Sequence, residues 1–196
     1  MVEHVHGKEK VLGSIPSNGS SMKIKKVLSF VFVGLVAYYT LVVFKDPYDH
    51  MFIHAVNLVI HEAGHTIFIF FGQFMNILGG SLLQVLVPFV FAVYFLLWQR
   101  SPISASIMLF WASINLIEVS IYAGDAISMN LPLLGHDEGD TSGHDWNNLL
   151  VMLGILKYTP IVEKVFVFLG YAVYSLGLAT GVLGVIYNSK KDDSNE

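Results

Sequence analysis

The chain of 196 residues contains no cysteine. That absence excludes disulfides, thiolate–zinc sites and thiol nucleophiles, so a metal ion would have to be held by His, Asp or Glu. Charge is also scarce. Only 13% of residues are Asp, Glu, Lys or Arg, against about 25% in an ordinary soluble domain. Lys and Arg together number 11 and the formal net charge is −4, so there is no basic surplus to draw the chain to nucleic acid. What is present instead is apolar: 54% hydrophobic residues and a mean hydropathy of +0.61. The composition is that of an integral membrane protein, with lipid as its main surroundings.

Five apolar runs can be followed along the chain. Residues 1–22 read as a disordered polar tail, and "GKEKVLGSIPSNGSS" within it is rich in Gly, Ser and Asn. Lys23, Lys25 and Lys26 lead into the apolar run Val27–Phe44. That run exceeds a usual signal-peptide core and no A-x-A site follows, so it reads as a retained helix. Asp46-Pro47 breaks the chain before a second span over Met51–Phe71. The turn-rich "GQFMNILGGS" separates this from a third span over Leu82–Trp98, with a kink expected at Pro88. A fourth span covers Ile103–Ile127 and a fifth Ile161–Tyr187. Between these two lie a wet acidic loop, "GHDEGDTSGHDWNN", and a short amphipathic segment, "WNNLLVMLGILKY", expected at the interface with Asp145 as its N-cap. The predicted fold is therefore all-α and integral to the membrane. It has about five transmembrane helices in one domain over residues 23–188, and a polar tail over 189–196. Gly177 and Gly181 form a small-xxx-small pair expected to serve tight packing within the chain, and Trp98, Trp111 and Trp146 read as packing or interface aromatics. Lys8, Lys10, Lys23, Lys25, Lys26, Lys157 and Lys164 fall on one side, against Lys45, Arg100, Lys190 and Lys191 on the other. That bias places the N-terminus in the cytoplasm.

The second span carries His61-Glu62-Ala63-Gly64-His65, an H-E-x-x-H motif. On a helix the two histidines lie about 40° and about 6 Å apart, close enough to share one zinc ion, with Glu62 to the side as a general base on an activated water. Ionisable groups in the bilayer core are costly and mark functional sites by default; the bland alternative is a polar helix face packed against other polar groups. In the fourth span, Asn115, Glu118, Tyr122 and Asp125 fall on one helical face. This predicts a polar metal site between the second and fourth spans, although such a face also serves plain interhelical hydrogen bonding. A catalytic zinc needs a third protein ligand. His144 leads the candidates, with Asp125 close behind; Glu118 is a candidate ligand or an orienting partner. His136 and Asp145 rank lower, Asp145 because helix capping explains it. His4, His6, His50 and His54 read as non-ligands.

The HEAGH helix, the glycine-rich segment behind it and the polar helix ending in Asp125 together resemble the site-2-protease-type intramembrane zinc metallopeptidases. The likeness spans Met51 to about Trp146. It implies zinc ligation by His61 and His65, catalysis by Glu62, and a membrane protein or peptide as substrate. In that family the third ligand is an aspartate of a later membrane helix, usually followed by glycine; here Asp125 precedes Ala126. "GHDW" at residues 143–146 is similar to a segment of small bacterial membrane proteins that share the HEAGH helix, which implies a bacterial cytoplasmic membrane. On this reading a substrate helix must unwind locally before its carbonyl is exposed, and residues 72–81 would hold it extended. The rival is a non-catalytic metal-binding protein or a transporter whose polar stripes line an ion path. No internal repeat of the kind common in transporters is visible.

Overall fold

The computed structural model describes residues 19–48, 51–131 and 143–194. The N-terminal tail up to residue 18, with His4 and His6, lies outside the described residues, as do His50, most of the acidic loop including His136, and the last two positions. Six α-helices follow in order: α1 (Gly19–Lys45), α2 (Met51–Phe68), α3 (Gln73–Leu97), α4 (Pro102–Gly124), α5 (Asp145–Met152) and α6 (Thr159–Ser194). No strand occurs among the described residues. Five helices are long and apolar enough to cross a membrane; α5 is the exception.

The largest departure from the sequence reading is α3. The glycine-rich segment expected to form a turn is instead its first turns. A 3-10 turn over Ile69–Phe71 and then Gly72, at φ +89°, separate α2 from α3. Gly79 and Gly80 are helical and buried because α2 crosses there. A Cβ on Gly64 would meet the Gly79 carbonyl, and one on Gly79 would lie 2.7 Å from the Gly64 carbonyl oxygen. The glycines are there for close approach of two backbones rather than for flexibility. Helical hydrogen bonding also removes residues 73–81 as an extended template for substrate. The helical ends run further than the apolar ones as well. Gly19 to Met22 belong to α1, and α6 continues to Ser194, because polar residues continue a helix once it has nucleated.

Helix α4 is the central post. Of its span, 72% is buried, against 17–28% for the other four, and every residue from Ala112 to Ser120 is buried. Against it lies α6. Ser106, Ser113 and Ser120 each turn the hydroxyl back to the carbonyl three residues earlier, which satisfies the hydroxyl within α4. Opposite them on α6, Gly170 approaches Ser113 and Ile117, Gly177 approaches Leu109 and Phe110, and Gly181 approaches Ser106. The expected intrachain role of Gly177 and Gly181 is the one observed. Helix α1 closes this side, where Val33 and Ala37 form a core with Phe110 and Val185.

Pro88 lies inside α3 and is buried. Proline has no N–H, so the Gln84 carbonyl, one turn earlier, loses its helical donor. Asn115 Nδ2 of α4 donates to that carbonyl at 2.7 Å. A backbone acceptor left bare in a membrane interior costs several kcal/mol by the general scale, so the asparagine and the proline belong together.

Candidate metal centre

Helix α2 projects His61 and His65 toward the start of α3, and α5 brings Asp145 to them. His61 Nε2 lies 3.0 Å from Asp145 Oδ2, and His65 Nε2 lies 3.2 Å from the same oxygen. One donor atom from each of the three residues falls within 4.8 Å of the others. Ligands about 2.0–2.1 Å from a tetrahedral zinc stand about 3.3 Å apart, so the two spacings to Asp145 already approximate edges of a zinc tetrahedron. Two imidazole nitrogens and a carboxylate suit that ion.

The remaining ring nitrogens are committed elsewhere. His65 Nδ1 donates to the Asn76 carbonyl at 2.8 Å, and Asn76 Nδ2 returns a bond to the His65 carbonyl at 2.7 Å. His61 Nδ1 meets Gln84 Oε1 at 3.1 Å. The direction of that bond follows from Glu118. A carboxylate only accepts, so Gln84 must turn its amide nitrogen to Glu118 Oε2, at 2.8 Å. That leaves Oε1 for His61, which must then carry its proton on Nδ1. Both histidines therefore turn Nε2 toward Asp145, where each ring nitrogen hydrogen-bonds the carboxylate and is the atom a metal ion would take in exchange for its proton. Space is left for an ion: a Cβ on Gly80 would sit 2.5 Å from His61 Nε2 and 2.7 Å from His65 Nε2.

Asp145, read from sequence as an N-cap, is the residue that completes the cluster. The cap is its neighbour: the His144 ring Nδ1 accepts the Asn147 N–H at 3.2 Å. His144 is fully buried, and its Nε2 donates to Asp125 Oδ2 at 3.3 Å. Asp125 also accepts from Ser128 Oγ and from the backbone N–H groups of Asn130 and Leu131. The two leading candidates for a third ligand thus bind each other and organise the ends of the loop. The neighbouring aspartate reaches the histidines. Tyr122 lies between: its ring contacts both His61 and His144, and its hydroxyl oxygen accepts the Asp145 N–H at 3.0 Å. Burial alone would raise the Asp145 carboxyl, but the hydrogen bonds to His61 and His65 outweigh it and hold it below the usual carboxylate range. For Asp125, burial again pushes upward, and the Ser128, Leu131 and Asn130 donors bring the net direction down.

Helix α5 is pinned where it needs to be. Trp146 Nε1 donates to Ser81 Oγ of α3 at 3.1 Å, and Asn147 Nδ2 donates to the Ala126 carbonyl at the end of α4 at 2.7 Å. Trp146, Leu149 and Leu150 enter a core with Val119 and Ala123. The centre opens into a cavity of about 820 Å³ that Glu62 also lines. Glu62 is exposed.

Glu118 stands apart from the cluster. Asn57 Nδ2 and Gln84 Nε2 both donate to its Oε2, and Trp111 Nε1 donates to Asn57 Oδ1 at 2.8 Å. The polar faces expected on the second and fourth spans do meet, directly where Asn57 donates to Glu118 and again through α3, where Gln84 is a second bridge. Its part was invisible in a glutamine placed amid an apolar run, since nothing local marks which neighbours it will reach. Comparison of the chain with protein-family models, with curated proteins and with solved structures found no match in any of the three.

Proposed function

We propose that this chain is a membrane-embedded zinc metallopeptidase of the cytoplasmic membrane, with His61, His65 and Asp145 as ligands and Glu62 as general base. The observation that carries the reading is the convergence of two Nε2 atoms on one Asp145 oxygen, with both Nδ1 atoms held by other partners. When bound, zinc would supply the Lewis acidity that makes water nucleophilic at neutral pH and polarises a peptide carbonyl. The chain's own residues supply the rest. Glu62, on the wall of the same cavity, takes a proton from water and passes it to the leaving amine. Gln84 and the Asn76 carbonyl fix the two imidazoles. Tyr122 holds the backbone of Asp145 in place. With the N-terminus cytoplasmic, the Asp145 end of the bundle faces the cytoplasm, and cleavage takes place near that surface.

The test uses purified protein in nanodiscs. Glu62→Gln keeps the zinc content of the wild type and loses cleavage of a membrane-protein substrate by about 100-fold or more. Unchanged turnover would remove Glu62 from the role. A second reading, ion transport, has one observation in its favour: a continuous polar column from His54 through Glu118 and Gln84 to His61. Uptake into proteoliposomes that survives Glu62→Gln and disappears with Glu118→Ala would favour it over proteolysis.

A further inference from the structure

The cavity has a second polar end that the metal centre does not use. There, Glu118 is 4% exposed, and its Oε1 has no hydrogen-bond partner among the described residues, although Oε2 accepts from two amides. Facing it at 3.6 Å is His54 Nδ1, likewise without a hydrogen-bond partner. A buried acceptor left bare costs about 1–3 kcal/mol, and such groups in native proteins call for an occupant. Two further features define that occupant. Glu62, Glu118 and Asp145 all line the cavity, and among the described residues no Lys or Arg does. Leu58 and Val119 supply apolar wall in the same cavity.

We infer that the His54–Glu118 end of the cavity is a subsite for a primary ammonium group on an apolar stem, namely a lysine side chain of the peptide substrate. Glu118 Oε1 accepts one N–H of the ammonium and the His54 Nδ1 lone pair accepts another. The four-carbon stem lies along Leu58 and Val119. An ethanolamine lipid carries the same ammonium, but its phosphate would enter a cavity lined by three carboxylates and, among the described residues, by no Lys or Arg, so the geometry disfavours it. Naming a peptide as the source of the lysine rests on the peptidase reading; the recognition chemistry itself does not.

The probe is n-hexylammonium, with 1-hexanol as its uncharged counterpart. Binding is measured by saturation-transfer NMR on metal-free protein in phosphatidylcholine nanodiscs. The wild type is expected to prefer the ammonium by about tenfold or more. Glu118→Gln abolishes the preference. Because Glu118 also holds Asn57 and Gln84, a second variant guards against misfolding: His54→Phe keeps a ring beside Tyr48 and lowers the preference severalfold. Equal binding of the two probes by the wild type would overturn the subsite and leave the pair holding water only. A preference indifferent to both substitutions would also overturn it, as would loss of hexylammonium binding when phosphatidylethanolamine is added to the nanodisc, which would make lipid the occupant. The assay involves neither metal nor turnover, so its failure leaves the peptidase reading standing, and the failure of that reading leaves the ammonium subsite standing.

Discussion

Alanine forms helices better than glycine by about 1 kcal/mol, so Gly80→Ala in the middle of α3 would ordinarily be a mild or stabilising change. Here the added methyl would fall within 2.5–2.7 Å of both imidazole Nε2 atoms. The expected outcome is a folded protein whose zinc affinity, read by competition with a chromophoric chelator, falls by at least about tenfold. Unchanged affinity would show that the ion is not held between those nitrogens. Gln84 and Glu118 offer a sharper test of orientation. Exchanging them, as Gln84→Glu with Glu118→Gln, keeps an acceptor for His61 Nδ1–H and a donor–acceptor pair between α3 and α4. Gln84→Leu removes the acceptor. Affinity is expected to drop by about 10–100-fold with Gln84→Leu and to recover in the exchanged pair, with the His61 15N shifts reporting Nδ1 protonation there. At this scale the sequence is only partly legible. His61, Glu62 and His65 follow from the pitch of one helix. Asp145 does not, because adjacent His144 and Asp145 compete for capping and ligation, and only the course of the loop decides between them.

Among the elements, α3 shows most clearly why local reading fell short. Gly72, Gly79 and Gly80 look alike in sequence. One of them breaks the chain with a positive φ, while the other two sit inside a helix to admit α2. Composition cannot separate these uses, because the second depends on what lies opposite. The α4–α6 seam was more legible, since glycines at a helical repeat in a membrane span have few other roles. Pro88 and Asn115 make a second prediction at this scale. Asn115→Ala bares the Gln84 carbonyl and should destabilise the protein by about 1–3 kcal/mol, measured from unfolding in mixed micelles. Adding Pro88→Ala restores a backbone donor one turn along, so the double variant should be more stable than Asn115→Ala alone. Strict additivity of the two losses would contradict the pairing.

For the molecule as a whole, five helices long and apolar enough to span a membrane were foreseeable from apolar runs of about 20 residues, and α5 from its amphipathic pattern. What was not foreseeable is that α5, which does not span, supplies the residue that joins α2 to the rest of the centre. The absence of cysteine makes topology simple to test. With the N-terminus inside, Gln99→Cys is labelled by an impermeant maleimide on intact cells, and Asn130→Cys only after lysis. The reverse pattern would place the centre on the outer face. The central claim is that two histidines of α2 and one aspartate of α5 meet around one ion, and zinc content per chain after purification in the presence of the metal tests it most directly. One equivalent is expected in the wild type, and it should persist in Asp125→Asn and vanish in Asp145→Asn. Zinc retained at one equivalent by Asp145→Asn would contradict the account.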